Sequence, residues 1–234
     1  RALFTAEMLQ RARRVDAVWR VTCGACRYKS PDAAPQAESS GDAGTARAAA
    51  SPLATRHSPL PPFDRTIVAI DPTASAGGAA CGLIAAASYR RPDGLRCAVV
   101  LADRSIAGLG PDAWARRAVA LAEEFHASAL VAEVNQGGDM VRAVLKTAGA
   151  KLKIREVHAT RGKYIRAEPV AALYEQGRIH HAGPFDALEE ELMAFGGEME
   201  AAGSLDRADA LVWAVTDLLV DAPDGERGPR VRWV

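Results

Sequence analysis

Four carboxylates in this sequence stand where they could do chemistry. Asp71 closes the β-branched run Thr66–Ile70 (TIVAI) and precedes Pro72, and Glu133 closes the apolar run Ala129–Glu133 (ALVAE). Asp206 and Asp209 open the last helical stretch and, three residues apart, share one face of it. A carboxylate at the edge of an apolar strand is costly to bury unless a cation compensates it. Strand ends are also where sites collect in α/β sheets. Hard cations such as Mg²⁺ and Mn²⁺ take oxygen ligands, usually a few carboxylates with water and phosphate. Two such ions, roughly 3.5–4 Å apart, can activate a water and stabilise the leaving oxygen of a phosphodiester. That chemistry needs three or more convergent acids and no Ser-His-Asp arrangement, and none is found. Each acid also has an ordinary reading. Asp71 before Pro72 suits a turn, Glu133 could pair with a nearby Lys or Arg, and Asp206 and Asp209 suit a helix N-cap and first turn.

The elements that must bring these acids together are legible from residue 63 onward. Thr66–Ile70, Cys81–Ser88 and Arg96–Leu101 read as consecutive strands, the last two joined by the turn Arg91-Pro92-Asp93-Gly94. Pro111 opens a helix whose Trp114, Ala118, Leu121 and Phe125 share one face. A strand at Ala129–Glu133, a helix at about Met140–Ala148 and a strand at Ile154–His158 follow, then helices at about Arg166–Glu175, Phe185–Phe195 and Arg207–Val220. This order predicts an α/β plan, a mixed sheet flanked by helices on both faces. Upstream, Ala2–Val18 is amphipathic, whereas Ser30–Pro62 holds little to bury and reads as a linker, a disordered stretch or an insertion. The expected organisation is an inter-domain segment over 1–62, one folded domain over 63–222 and a tail over 223–234. The chain opens on Arg1 rather than Met, as part of a longer polypeptide would.

Composition narrows the classes. Of the 234 residues, 49% are hydrophobic and 25% charged, an ordinary globular mixture. No run approaches the ~18 apolar residues of a membrane span. The 29 basic and 29 acidic residues cancel, so any footprint for nucleic acid must be local. Four cysteines do not make a disulfide framework, and the Cys23–Cys26 pair lacks the second pair of a zinc site. Cytoplasmic residence is the expectation.

Several segments resemble the C-terminal nuclease domain of terminase large subunits, the motors that package phage and gene-transfer-agent DNA. They are Ile67–Pro72 (IVAIDP), Val131–Gly138 (VAEVNQGG), Gly162–Pro169 (GKYIRAEP), Leu173–His181 (LYEQGRIHH) and Asp206–Ala214 (DRADALVWA), in that order. The resemblance spans about residues 63–220. It implies a ribonuclease H-like fold, a pair of Mg²⁺ or Mn²⁺ ions, and endonucleolytic cutting of concatemeric double-stranded DNA, with the phage portal and the small terminase subunit as partners. By position, Asp71 matches the family's first-strand aspartate, Glu133 its central-strand acid and Asp209 the acid of its last-helix Asp-Ala-Leu pattern, with Asp206 the alternative third acid. The family's packaging ATPase is not found here, since no G-x-x-x-x-G-K-S/T stretch occurs. A junction resolvase or transposase-type enzyme of the same fold, or a non-catalytic module docking on the portal, are the rival readings.

The densest basic stretch runs through Lys146, Lys151, Lys153, Arg155, Arg161, Lys163 and Arg166. Lysines and arginines of this kind contact phosphates without reading sequence, and a solvated charged edge is the alternative. Lys153, Arg155, Arg161, Lys163 and Arg166 are the DNA-contact candidates, the resemblance around Gly162–Arg166 favouring that role. His180 and His181 point to opposite faces of any strand and so do not chelate one ion together; a surface or packing role is the expectation. Trp114 and Trp213 are expected in the core.

Overall fold

The computed structural model describes residues 2–13, 63–72, 80–134, 138–160, 162–195 and 205–221. Cys23 and Cys26, the linker before Pro62, Asn135-Gln136-Gly137, Arg161 and the tail over 223–234 lie outside them. A seven-stranded sheet is built from β1 (Arg65–Asp71), β2 (Ala80–Arg90), β3 (Arg96–Asp103), β4 (Ile106–Ala107), β5 (Ala129–Glu133), β6 (Lys153–Val157) and β7 (Ile179–His181). The strand order is β6-β5-β1-β2-β3-β7, with β4 paired to β2 off that path. β1, β2 and β3 form the expected antiparallel meander, whereas β5 runs parallel to β1, β6 parallel to β5 and β7 parallel to β3. The meander's second turn closes where Gly94 adopts φ +82°, a left-handed conformation that costs glycine nothing.

Among the described residues, six α-helices flank the sheet: α1 (Ala6–Ala12), α2 (Pro111–Glu124), α3 (Gly138–Thr147), α4 (Lys163–Glu175), α5 (Asp186–Ala194) and α6 (Asp206–Val215). Strand alternation sorts the sheet's side chains between them. Val68, Ile70, Leu83, Ala85, Leu130 and Ala132 pack under α2 and α3, around the fully buried Trp114 and Leu145. Ile67, Ala69, Ile84, Ala86, Ala129 and Val131 face α4, α5 and α6. Phe4, Met8 and Leu9 place α1 on that same side, where Phe4 meets the Tyr174 and Phe195 rings edge-on. The sheet is thus a mixed one covered on both faces, the plan expected from the element order.

Boundaries shift in ways that matter for the site. The last helix is regular only over Asp206–Val215 and then widens into a π-helical turn over Thr216–Val220. Its Asp217 is buried and paired with Arg65 of β1 at 2.6 Å and Arg155 of β6 at 2.7 Å, which ties the end of α6 to the sheet. β7 carries the two histidines on opposite faces, as strand geometry requires. His180 lies by Tyr89, whereas His181 is buried with its Nε2 2.7 Å from the Tyr174 hydroxyl and its Nδ1 3.0 Å from Glu189. Glu189 in turn accepts two hydrogen bonds from Arg13 Nε, at 2.8 and 2.7 Å, just past the end of α1. Both histidines are therefore packing residues.

Candidate active site

β1 and β5 are parallel neighbours with Ile70 opposite Ala132, so Asp71 and Glu133 leave the sheet side by side at the same edge. Alternation turns both towards the α4–α6 face, the side that Ala69 and Val131 occupy two residues earlier. On the other flank of β1, Asp71 pairs with Gly82 of β2. Gly82 is where α6 touches the sheet. A Cβ there would stand 2.0 Å from the Asp206 carbonyl oxygen and 2.9 Å from the Ala210 Cβ. Only a residue without a side chain lets the first turn of α6 come down onto the strand. That contact delivers Asp206 and Asp209 to the ends of β1 and β5.

The start of α6 is fixed from two further sides. Glu191 of α5 accepts hydrogen bonds from the backbone N–H groups of Arg207 (2.8 Å) and Ala208 (3.1 Å). It therefore acts as an N-cap supplied from another helix, since Leu205 offers no side-chain cap. The Arg207 guanidinium bridges Asp103 at the end of β3 (2.8 Å) and Glu191 (3.2 Å).

At the centre, Asp209 is 1% exposed and Glu133 9%. Two cations from the first turn of α4 meet them. Lys163 donates to Asp209, and Arg166 reaches Asp209 Oδ1 at 3.3 Å and Glu133 Oε2 at 3.4 Å. Glu133 Oε2 also accepts the indole N–H of Trp213, and the Arg166 guanidinium lies 4.6 Å over the Trp213 ring. Among the described residues, no group of three or more acidic, histidine or cysteine side chains is already gathered as an ion would need. Glu133 and Asp209 are instead turned onto Lys163, Arg166 and Trp213.

The electrostatics couple all four acids. Burial, and then the negative charges of Glu133, Asp209 and Asp206, hold the Asp71 carboxyl well above the usual carboxylate range, with Lys163 pulling the other way. Asp209 is also raised by burial, against the pull of its Lys163 hydrogen bond. Burial alone would lower the Lys163 ammonium, but Asp209, Asp71 and Asp206 outweigh it and the group ends above its ordinary value. The carboxylates of Asp71, Glu133, Asp209 and Asp206 offer an all-oxygen donor set, the chemistry that suits a hard divalent cation.

The basic candidates divide. Lys163 and Arg166 face the acids, Arg155 pairs with Asp217, and Lys153 is exposed with Lys146 and Lys151 nearby in sequence. Trp213 is buried as expected, but it is more than core because its polar edge serves Glu133. Gly82 and Glu191 carried no weight in the sequence reading. A glycine inside an otherwise apolar strand was the available signal for the first, whereas no local pattern announces a cap supplied from another helix.

Comparison with known proteins agrees with this architecture. No curated protein sequence matches the chain. The nuclease domain of the large terminase subunit gp2 of bacterial virus Sf6 superposes with a TM-score of 0.53 at 15% identity, over 91% of this chain and 97% of that one. A mutant of the same Sf6 domain, determined with manganese and beta-thujaplicinol, gives 0.52 at 15% identity over the same shares. The large terminase nuclease from a thermophilic phage gives 0.45 at 16% identity, over 68% of this chain and 93% of that one. The two Sf6 superpositions, at such identities, speak for the fold alone. A family model, the terminase RNase H-like domain, matches residues 68–218, which is well over half of the 234, and the chain belongs to that family.

Proposed function

We propose that this chain is the nuclease part of a DNA-packaging large terminase subunit, a divalent-metal-dependent endonuclease that cuts concatemeric double-stranded DNA. The observation that supports the reading is the placement of Asp71 and Glu133 at the same edge of the adjoining strands β1 and β5, with Asp209 of α6 joined to Glu133 through Arg166. Asp71, Glu133 and Asp209 are the residues that would hold Mg²⁺ or Mn²⁺, two ions in all, with Asp206 the alternative third acid. Bound there, such ions supply a water of lowered pKa and charge neutralisation at the leaving oxygen.

The chain's own residues do the rest. Asp71 and Glu133 are fixed by adjacent strands and Asp209 by a helix seated on Gly82, so the acids are presented from rigid elements. Lys163 and Arg166 offset the charge of Asp209 and Glu133, and as basic side chains beside the acids they could also contact a phosphodiester. By the resemblance, Lys153, Arg155 and Arg161 are further candidates for phosphate contacts, which hold DNA without regard to sequence, although Lys153 pairs with Ala129 at the far end of β5 from Glu133. The Asp217 pair keeps Arg155 anchored at the sheet. By family resemblance the phage portal and the small terminase subunit are the protein partners, and the work is done in the cytoplasm of the bacterial host, at the procapsid. Among the described residues no helix is long and apolar enough to cross a membrane.

Replacing Asp71 or Glu133 by Ala is the direct test. Each variant is expected to keep the far-ultraviolet circular dichroism of the parent and to lose Mn²⁺-dependent nicking of supercoiled plasmid. Undiminished nicking by either folded variant removes that acid from the mechanism.

A further inference from the structure

The indole of Trp213 occupies an unusual place for a residue on the apolar stripe of a helix. It is 7% exposed and lies one turn beyond Asp209 on α6. Packing accounts for the ring and for nothing at its edge, where the indole N–H is a donor with no acceptor capacity and usually finds an oxygen when buried. The oxygen it finds is Glu133 Oε2, across the sheet edge. The face of the same ring carries the Arg166 guanidinium, whose side chain is 10% exposed and which bridges Glu133 and Asp209. One side chain thus orients an acid with its edge and a cation with its face. A phenylalanine would keep the second contact and lose the first; a leucine would fill the space and lose both.

We infer that Trp213 is a positioning residue, whose N–H fixes the plane of the Glu133 carboxylate so that its oxygens are presented for metal binding. The inference rests on the reading of Glu133 as a metal-holding acid. An acid free to rotate loses entropy each time it is captured, and donors behind ligating groups are worth 10–100-fold in metal affinity or activity. α6 therefore brings to the site an acid, Asp209, and also the bracket for the acid of another element.

The test is a Mn²⁺ titration of the purified chain, followed by the electron paramagnetic resonance signal of free Mn²⁺, for the parent and for Trp213→Phe. The variant keeps an aromatic face for Arg166 and lacks the donor, and it is expected to bind Mn²⁺ about 10-fold or more weakly. Because Trp213→Phe also removes core volume, the same titration is run with 3-benzothienylalanine at position 213. That side chain has the shape of the indole and no N–H, and the same weakening is expected. Mn²⁺ affinity equal to the parent in either folded variant overturns the role of Trp213 and leaves the reading of the acids standing. Absence of Mn²⁺ binding by the parent overturns both.

Discussion

Gly82→Ala should disable the site from a residue that touches no substrate. The Cβ of an alanine would stand 2.0 Å from the Asp206 carbonyl oxygen, against an ordinary contact of 3.4 Å or more, so strand and helix must separate by roughly 1.4 Å. No rotamer change relieves this. The two nearest atoms, the Asp206 carbonyl oxygen and its carbon at 2.7 Å, are backbone, and the third, the Ala210 Cβ at 2.9 Å, belongs to a side chain with no freedom of its own. Overpacking of this kind costs about 1–3 kcal/mol. At about 2–4 °C per kcal/mol for a chain of this size, that lowers the thermal midpoint by about 2–12 °C. The displacement falls on the turn that carries Asp206 and Asp209, and an ~1 Å misplacement of a reacting group can cost about 100-fold in rate. Urea unfolding followed by circular dichroism gives the stability, and Mn²⁺-dependent plasmid nicking gives the rate. Gly183→Ala is the control: a Cβ there meets nothing within 4 Å, and a change within about 0.5 kcal/mol is expected. A Gly82→Ala protein matching the parent in both midpoint and nicking rate refutes the claim that α6 needs a bare backbone beneath it.

Glu191→Ala removes the cap that α5 lends to α6 and should cost about 1–2 kcal/mol in urea unfolding, with nicking reduced alongside because Asp206 sits in the frayed turn; unchanged values in both assays would show that the helix start is held by Arg207 and Asp103 alone. Acid should loosen the far edge of the sheet. Burial and the neighbouring His181 lower the His180 imidazole from 6.5 to about 4, so the folded state favours the neutral ring. Its contribution to stability is complete above about pH 6.5 and is lost progressively as pH falls towards 4. A His180→Phe protein should show a shallower fall in thermal midpoint over that window, and parallel curves for the two proteins would remove His180 as the cause.

What could be read beforehand follows from how far each signal reaches along the chain. Runs such as TIVAI and ALVAE declare buried strands by themselves, and an acid at the end of each declares a strand edge, so Asp71 and Glu133 could be named without coordinates. The parallel pairing that sets them side by side follows from the βαβ order once the fold is recognised. β4 and β7 were missed as elements because two and three residues are too short to display a period. The helical period extended the last helix to Val220, since a π-helical turn begins at Thr216 with no proline or glycine to announce it. Lys163 and Arg166 read as a basic stretch because charge order in the chain says nothing of partners. That Lys163 meets an acid 46 residues further on is a tertiary fact. For the same reason the stripe that placed Trp213 in the core could not say where the N–H of its ring would point.

The parallel strands that seat Asp71 and Glu133 pair early in the chain order, but Asp209 arrives on the last described helix. A polypeptide folding as it leaves the ribosome therefore holds an incomplete set of acids for most of its synthesis, and the third joins only when α6 docks. Until then Ile67, Ala69, Ile84, Ala86, Ala129 and Val131 lack that helix as cover. Docking that helix covers the sheet's apolar face and brings Asp209 to Arg166 and Glu133 in a single event.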